Sequence, residues 1–343
     1  MGNSGVKRKF PIAMALFGLA VVTALSSWAM IFPASFVESV YSRRLFPIIS
    51  HIAGWFADSI PFSWTWVWIL IGLFTVVFSL RRKNWRIPLG LVSAIYLIFF
   101  WGWGLNYHRS PIEIRLGLKA LPKPSNQEFR QFQAATTAGV NRLWTEVDVH
   151  KTGSLDSEAI EREASARVRE VIAQIDGTDW AAATRIKHFY PAEVWFQAAG
   201  IDGVFNPFGH EPILVSRIAS FRLPFVMTHE LAHVRGIASE GDANYVAFLA
   251  CMRSADPRFQ YSAAFEMWLH LGGSANDLAD GPRRDLKSYL DLIRSQEVPQ
   301  ISRIQSAILD SHLKANGIQE GVQSYSKFVA LAIATRDRWG NFQ

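Results

Sequence analysis

Three long runs without charge dominate the first third of the chain. Residues 10–32 (FPIAMALFGLAVVTALSSWAMIF), 61–80 (PFSWTWVWILIGLFTVVFSL) and 87–107 (IPLGLVSAIYLIFFWGWGLNY) contain no Lys, Arg, Asp or Glu. Each is about 20 residues, the length at which a helix crosses a ~30 Å hydrocarbon layer. Trp and Tyr cluster near their ends, as interface anchors do. The runs predict three transmembrane helices, about 10–32, 61–80 and 87–107, within a membrane domain over residues 1–107. A shorter apolar stretch, 45–57 (LFPIISHIAGWFA), contains His51 and predicts an interfacial or re-entrant segment between the first two spans.

Beyond residue 107 the pattern changes to a helical period. Helices are expected at about 126–147, 156–176, 224–235, 240–254, 258–271, 283–295, 299–315 and 321–338, punctuated by Gly and Pro. One segment breaks this rhythm. Residues 189–218 are rich in aromatic and β-branched residues, Gly and Pro, and read as short strands with tight turns. The expected fold class is therefore mainly α. Three N-terminal transmembrane helices precede a mostly helical domain, residues 108–343, that carries a small β-hairpin or sheet.

Charge adds an orientation. Lys7, Arg8 and Lys9 precede the first run, and Arg81, Arg82, Lys83 and Arg86 lie between the second and third. The loop between the first and second holds only Arg43 and Arg44. The bias of Lys and Arg toward cytoplasmic loops puts the N-terminus inside and residues 108–343 outside. Cleavage of the first run as a signal peptide, after Ser27-Trp28-Ala29, would leave that side unchanged. The net charge of +6 resides in the membrane flanks: residues 1–107 hold nine Lys/Arg against two Asp/Glu, which leaves −1 for the rest. That distribution excludes a basic nucleic-acid face. The single cysteine, Cys251, has no partner for an intramolecular disulfide and sits in an apolar helix as a packing residue.

The chemistry concentrates at His229-Glu230-Leu231-Ala232-His233, with Glu240 seven residues on. On a helix, His229 and His233 stack on one face and can share a Zn²⁺ ion. Glu230, one step round the helix, is placed to take a proton from water. This is the HExxH arrangement of zinc-dependent hydrolases. A single straight helix would separate Glu240 from His229 by about 16 Å, so a turn must intervene. Gly236 suits the left-handed position of that turn. Ser239-Glu240-Gly241-Asp242 resembles a capping box that starts a second helix. Its Ala243, Ala247 and Ala250 would allow close approach to the first. Glu240 is then the third metal ligand, with Asp242 as its competitor. Tyr245, Tyr261 and His210 are candidate donors to an oxyanion. His210 and Glu211 otherwise read as a surface turn. An edge strand within 189–218 could hold an extended peptide, or be a plain core hairpin.

The run from Thr228 to His233, then Gly236-Ile237-Ala238-Ser239-Glu240 and Ala243-Asn244, resembles an uncharacterised bacterial family of membrane-anchored proteins. That family is described as a domain of unknown function with N-terminal spans and a predicted zinc peptidase domain. Gly203-Val204-Phe205-Asn206-Pro207-Phe208 and Trp103-Gly104-Leu105-Asn106-Tyr107 carry the same likeness. More distantly the site is similar to gluzincin peptidases, whose third ligand is a Glu on a second helix. Asn244 stands where that group usually has Asp, and the spacing from His233 to Glu240 is short for it. The resemblance implies a zincin-like outer domain and a Zn²⁺ cofactor held by His229, His233 and Glu240. It implies Glu230 as general base and a peptide or protein substrate in the bacterial envelope, outside the cytoplasmic membrane. The rival expectation is a non-enzymatic membrane sensor or scaffold with a structural or vestigial metal site.

Overall fold

The computed structural model describes residues 12–29, 31–149, 157–315 and 325–339. The chain is mainly helical with one two-stranded sheet. The first third comprises α1 (Ile12–Trp28), the short α2 (Ala34–Phe36), a π-helical stretch Val37–Leu45, α3 (Phe46–Ser59), α4 (Thr65–Arg82) and α5 (Arg86–Gly102). A 3-10 turn, Gly104–His108, and α6 (Ile112–Arg115) lead into the larger body. There follow α7 (Asn126–Val149), α8 (Ser157–Asp176), α9 (Tyr190–Ala198), β1 (Gly203–Asn206) and β2 (Glu211–Leu214). The chain continues through α10 (Leu223–Val234), α11 (Glu240–Met252), α12 (Pro257–His270), α13 (Asp280–Gln296), α14 (Pro299–Ala315) and α15 (Tyr325–Trp339).

Local signals set many of these ends. Ser125 and Glu128 exchange side-chain and backbone hydrogen bonds, a capping box that opens α7. Asp256 accepts from the Arg258 N–H at 2.9 Å, with Pro257 in the first turn of α12. Pro224 occupies the same early position in α10. The helices expected in the larger body appear within a few residues of their expected positions. Residues 321–324 of the last one lie outside the described residues.

Two expectations need correction. Among the described residues only α4 is long and apolar enough to cross a membrane by itself; α1 and α5 are 17-residue helices. The predicted third span stops early because Trp103 leaves the helix at φ −151°, and Gly104–His108 folds into a 3-10 turn. Residues 10, 11 and 30 of the predicted first span lie outside the described residues, as do Lys7, Arg8 and Lys9. The second correction concerns 189–218, where Tyr190–Ala198 is a helix rather than a strand. Pro191 fits a first helical turn, and Tyr190, Val194 and Trp195 form one exposed apolar face that a strand reading hides.

α10 and α11 form an antiparallel pair at the centre, with α8, α12 and α15 packed against α11. Ala243, Ala247 and Ala250 are fully buried, as the small-residue stripe predicts. The hairpin β1–β2 lies on α10, with Gly203 opposite Leu214 and Asn206 opposite Glu211. One hydrophobic core joins Val37, Phe46, Phe100, Trp103 and Leu105 to Phe225, Leu231, Val246 and Phe248. The elements before residue 107 are therefore part of the site's own scaffold. α3 shows how: Phe46, Ser50, Gly54 and Ala57 face inward, while Ile48, Ile52, Trp55 and Phe56 are exposed.

Candidate metal centre

α10 delivers both histidines and then ends in a turn that orients one of them. Gly236 adopts φ +79°, its N–H bonds to the His233 carbonyl at 2.9 Å, and Ile237 N–H reaches back to Ala232 O at 3.2 Å. This is a Schellman ending, with glycine at the left-handed position. A Cβ there would meet Phe46 at 2.7 Å, so space as well as conformation requires Gly. The turn swings the Ile237 carbonyl onto Nδ1 of His233 at 2.6 Å. That bond holds a proton on Nδ1, so Nε2 is the nitrogen a metal ion would take.

α11 starts immediately after the turn and brings Glu240 to the histidines. Glu240 Oε2 lies 3.3 Å from His229 Nε2 and 3.6 Å from His233 Nε2, and the two Nε2 atoms are 3.1 Å apart. A tetrahedral zinc with ligands at about 2.05 Å separates neighbouring ligand atoms by about 3.3 Å. The observed triangle averages that value, so the three ligand atoms fit one tetrahedral ion. His229, His233 and Glu240 form the one group among the described residues able to gather three ligand atoms in this way. Nδ1 of His229 is buried without a hydrogen-bond partner among the described residues, as is Oε2 of Glu230.

The electrostatics fit a cation. Burial opposes ionisation of Glu240, but the charges of His233 and His229 outweigh it and hold the carboxyl well below its usual range. Burial would depress His233, yet the facing Glu240 carboxylate raises it to about 9. A buried carboxylate here demands a positive partner, which a protonated imidazole or a divalent ion supplies. Glu230 is different: burial raises it to about 7, with the histidines only partly opposing. Its position is set by β1, because a Cβ on Gly203 would fall 2.7 Å from Glu230 Oε1.

The triad opens into a cavity of about 400 Å³. Phe99, Trp103 and Tyr107 form one wall, Gly203, Val204 and Phe205 of β1 a second, and Asp202, Arg222, Glu266 and His270 a polar end. β1 pairs only with β2 among the described residues. Because Val215 N–H bonds to Asp202 O, alternation turns the main-chain groups of Gly203 and Phe205 to the unpaired edge.

Several sequence-named residues lie elsewhere. Tyr245 bonds to Thr335 at 2.8 Å and Tyr261 to Asp285 at 2.8 Å, both within the core. His210 is buried at φ +51° and bonds to Ser50 at 2.8 Å, and Glu211 is fully buried. Glu211 accepts from Ser63, the Trp64 N–H and Asn206. The expected surface turn is thus an internal clamp that docks the hairpin on the segment before α4. Tyr107 is the one tyrosine that lines the cavity. Asp242 pairs with Lys327 at 3.0 Å, and Lys327 with Glu113 at 2.8 Å, so Asp242 serves the packing of α15. Ser239 has N-cap backbone geometry, but its hydroxyl makes no cap bond, so the expected capping box does not form. Asn244 lines the cavity, while the His233 Nδ1 position is taken by Ile237 O.

The sequence pattern hid a supporting shell. Trp103 donates its indole N–H to the His233 carbonyl at 2.9 Å. Asn106 donates to Trp103 O and accepts from Ser42. Arg109 reaches Gly236 O at 3.3 Å while pairing with Glu38 and Asp176. Arg115 completes this buried quartet through Asp176 at 2.5 Å. Polar residues at the end of an otherwise lipid-like run, Asn106 to Arg109, were the available signal.

A family model described as Protein of unknown function (DUF3810) matches residues 41–333. No curated protein and no solved structure matches the chain.

Proposed function

The chain belongs to this family of unknown function, and from that premise we propose that it is a membrane-associated zinc peptidase. The observation that carries the reading is the near-tetrahedral triangle of His229, His233 and Glu240 beside the unpartnered Oε2 of Glu230. A structural zinc site has no use for that carboxylate, and a buried carboxyl near neutrality suits a general base. When bound, zinc would supply a Lewis acid and lower the pKa of water. Glu230 would accept a proton from the attacking water and pass it to the leaving amine. The free edge of β1 would align an extended peptide through Gly203 and Phe205. Tyr107, which lines the cavity and is kept protonated by burial and by Glu240, would be the hydroxyl that donates to an oxyanion.

The membrane part of the reading rests on the outward faces of α1, α4 and α5, where Leu19, Val22, Leu70, Leu73, Phe74 and Val92 are exposed. Ser27 bonds to His108 at 2.9 Å, so α1 and α5 end at the same level. α4 runs opposite to α5 across a three-residue link, which puts Arg81–Arg86 at the far end from the metal centre. In a bacterial cytoplasmic membrane the basic end would face the cytoplasm and the metal centre the outside.

The test compares wild type with Glu230→Gln in the native host, both confirmed present and zinc-loaded. Glu230→Gln should keep zinc and lose turnover by at least ~10²–10⁴-fold, the usual worth of a general base. Envelope peptides generated only by wild type, seen by mass spectrometry, support the peptidase. Identical peptide profiles would reject it in favour of a non-enzymatic sensor.

A further inference from the structure

We propose that the cavity takes its substrates at the bilayer surface and cuts membrane-anchored polypeptides within a few residues of their spans. This deepens the peptidase reading and rests on it. The geometry points to it through the level of the metal centre relative to an aromatic belt. Trp28 closes α1, Trp66 opens α4 and Trp101 stands next to the last residue of α5; all three are exposed. Trp55 on α3 joins them, because Trp64 donates to the carbonyl of its neighbour Phe56 at 3.2 Å. Four exposed Trp at the same end of an apolar helical layer mark a membrane–water interface.

The cavity wall sits at that level. Phe99 lines the cavity, and Trp101 two residues on is exposed. Two residues of α-helix are about 200° apart round the axis and ~3 Å apart along it. One turn of α5 therefore presents Trp101 to the outside and Phe99 to the site. Trp103, another ~3 Å on, stands with its ring centroid 6.5 Å from that of His233. Trp103, two residues after the exposed Trp101, thus reaches from the belt to His233, a separation that a few residues of extended chain cover at ~3.3 Å each.

The surroundings agree. α3 turns Ile48, Ile52 and Trp55 outward along one stripe beside the belt, the pattern of a helix lying in an interface. At the other rim α14 contributes Gln305 and Leu309 to the cavity while Ile304 and Ile308 are exposed. A rim that is apolar on its outer side admits a chain leaving the hydrocarbon layer without stranding that chain's apolar residues in water. A site serving soluble chains would gain nothing from being held at this level by the end of an apolar helix.

The experiment uses the full chain, zinc-loaded, in liposomes. The probe is a pool of single-span polypeptides carrying a randomised ten-residue segment after a spacer of three or twenty residues. The same segments free in solution serve as the reference, and Glu230→Gln as the blank. The expected result is Glu230-dependent cleavage of the three-residue-spacer pool at least as fast as the twenty-residue pool. Free segments should be cut at least tenfold more slowly at equal concentration. Cleavage of the twenty-residue pool with the three-residue pool resistant would overturn the inference and leave the peptidase reading standing. Free segments cut as fast as anchored ones would do the same. Absence of Glu230-dependent cleavage in every pool would overturn both.

Discussion

Helices α4 and α11 are both apolar, and the molecule treats them in opposite ways. In α4 (TWVWILIGLFTVVFSLRR) Ser79 is the one buried residue, whereas in α11 every residue from Gly241 to Cys251 is buried. The difference lies in side-chain size and distribution rather than in hydrophobicity. α11 carries Ala243, Ala247 and Ala250, so α10 and its other neighbours can approach closely. α4 has small residues along only one narrow stripe, Gly72, Thr75 and Ser79, where it is least exposed, and carries Trp, Phe, Leu, Ile and Val over the rest. Leaving a Leu or Phe side chain in water forfeits ~1.5–3 kcal/mol. The outer surface of α4 therefore calls for a non-aqueous neighbour, while α11 already has protein on all sides.

Substitutions at matched positions break or sharpen that contrast. The largest effects belong to the proposed metal ligands on the buried side. Wild type should hold close to one Zn²⁺ per chain. His229→Ala, His233→Ala and Glu240→Ala should each weaken zinc beyond the ~10–100-fold typical of an outer partner. Asp242→Ala, which loses only the Lys327 contact, should stay near wild type. Metal content after dialysis decides it; an empty Asp242→Ala site beside a loaded Glu240→Ala site would mean the third ligand is misassigned.

Next come two phenylalanines. Phe248→Ala in α11 opens a cavity in a fully buried site and should cost ~3–5 kcal/mol in denaturant unfolding. Phe74→Lys in the middle of α4 should leave zinc binding intact. It should, however, reduce membrane integration, since a charge at a bilayer centre costs ~2.5–3.5 kcal/mol. Integration is read by carbonate extraction, and an unchanged membrane fraction would argue that α4 does not face lipid.

Gly236→Ala is expected to be smaller, ~1–3 kcal/mol, from a left-handed residue forced against Phe46. Because the same turn orients His233, zinc affinity should fall together with the thermal midpoint. A midpoint shift without a zinc effect would separate the turn from the ligand.

The smallest effect is on acid stability. Burial pushes Glu38 and Asp176 up, but Arg109 and Arg115 outweigh it and hold both below their usual values. Groups with depressed native pKa stabilise above their unfolded values, near pH 4, and lose that contribution as pH falls further. Thermal stability should therefore drop below about pH 4, and less so in Arg109→Met, where the quartet is already broken. Equal acid profiles for the two proteins would remove the quartet from the account.

What could be read along the chain was local. His229 and His233 share a face because they are four apart, Gly236 fits a left-handed ending, and Glu240 follows within one turn of a new helix. The hydrogen bonds and φ values at those residues follow the same short-range rules. The helices of the larger body were legible for the same reason, since periodicity is a property of neighbours. Tyr190–Ala198 misled because β-branched and aromatic residues on one helical face resemble a strand. Tyr107, rather than Tyr245, Tyr261 or His210, lines the cavity because of contacts between residues more than a hundred positions apart.

The sequence alone thus determined the residue types of the candidate metal centre, their spacing, the glycine between them and the apolar character of α1, α4 and α5. Tertiary structure decided the rest: that Asp242 turns to Lys327, that Glu211 is a buried clamp, that α5 ends at Trp103, and that Trp103 supports His233. The physical reason is that helix period and turn chemistry are set by residues within a few positions. Which side chain meets a given carbonyl or metal ligand depends on how distant segments pack, and no spacing in the chain encodes that by itself.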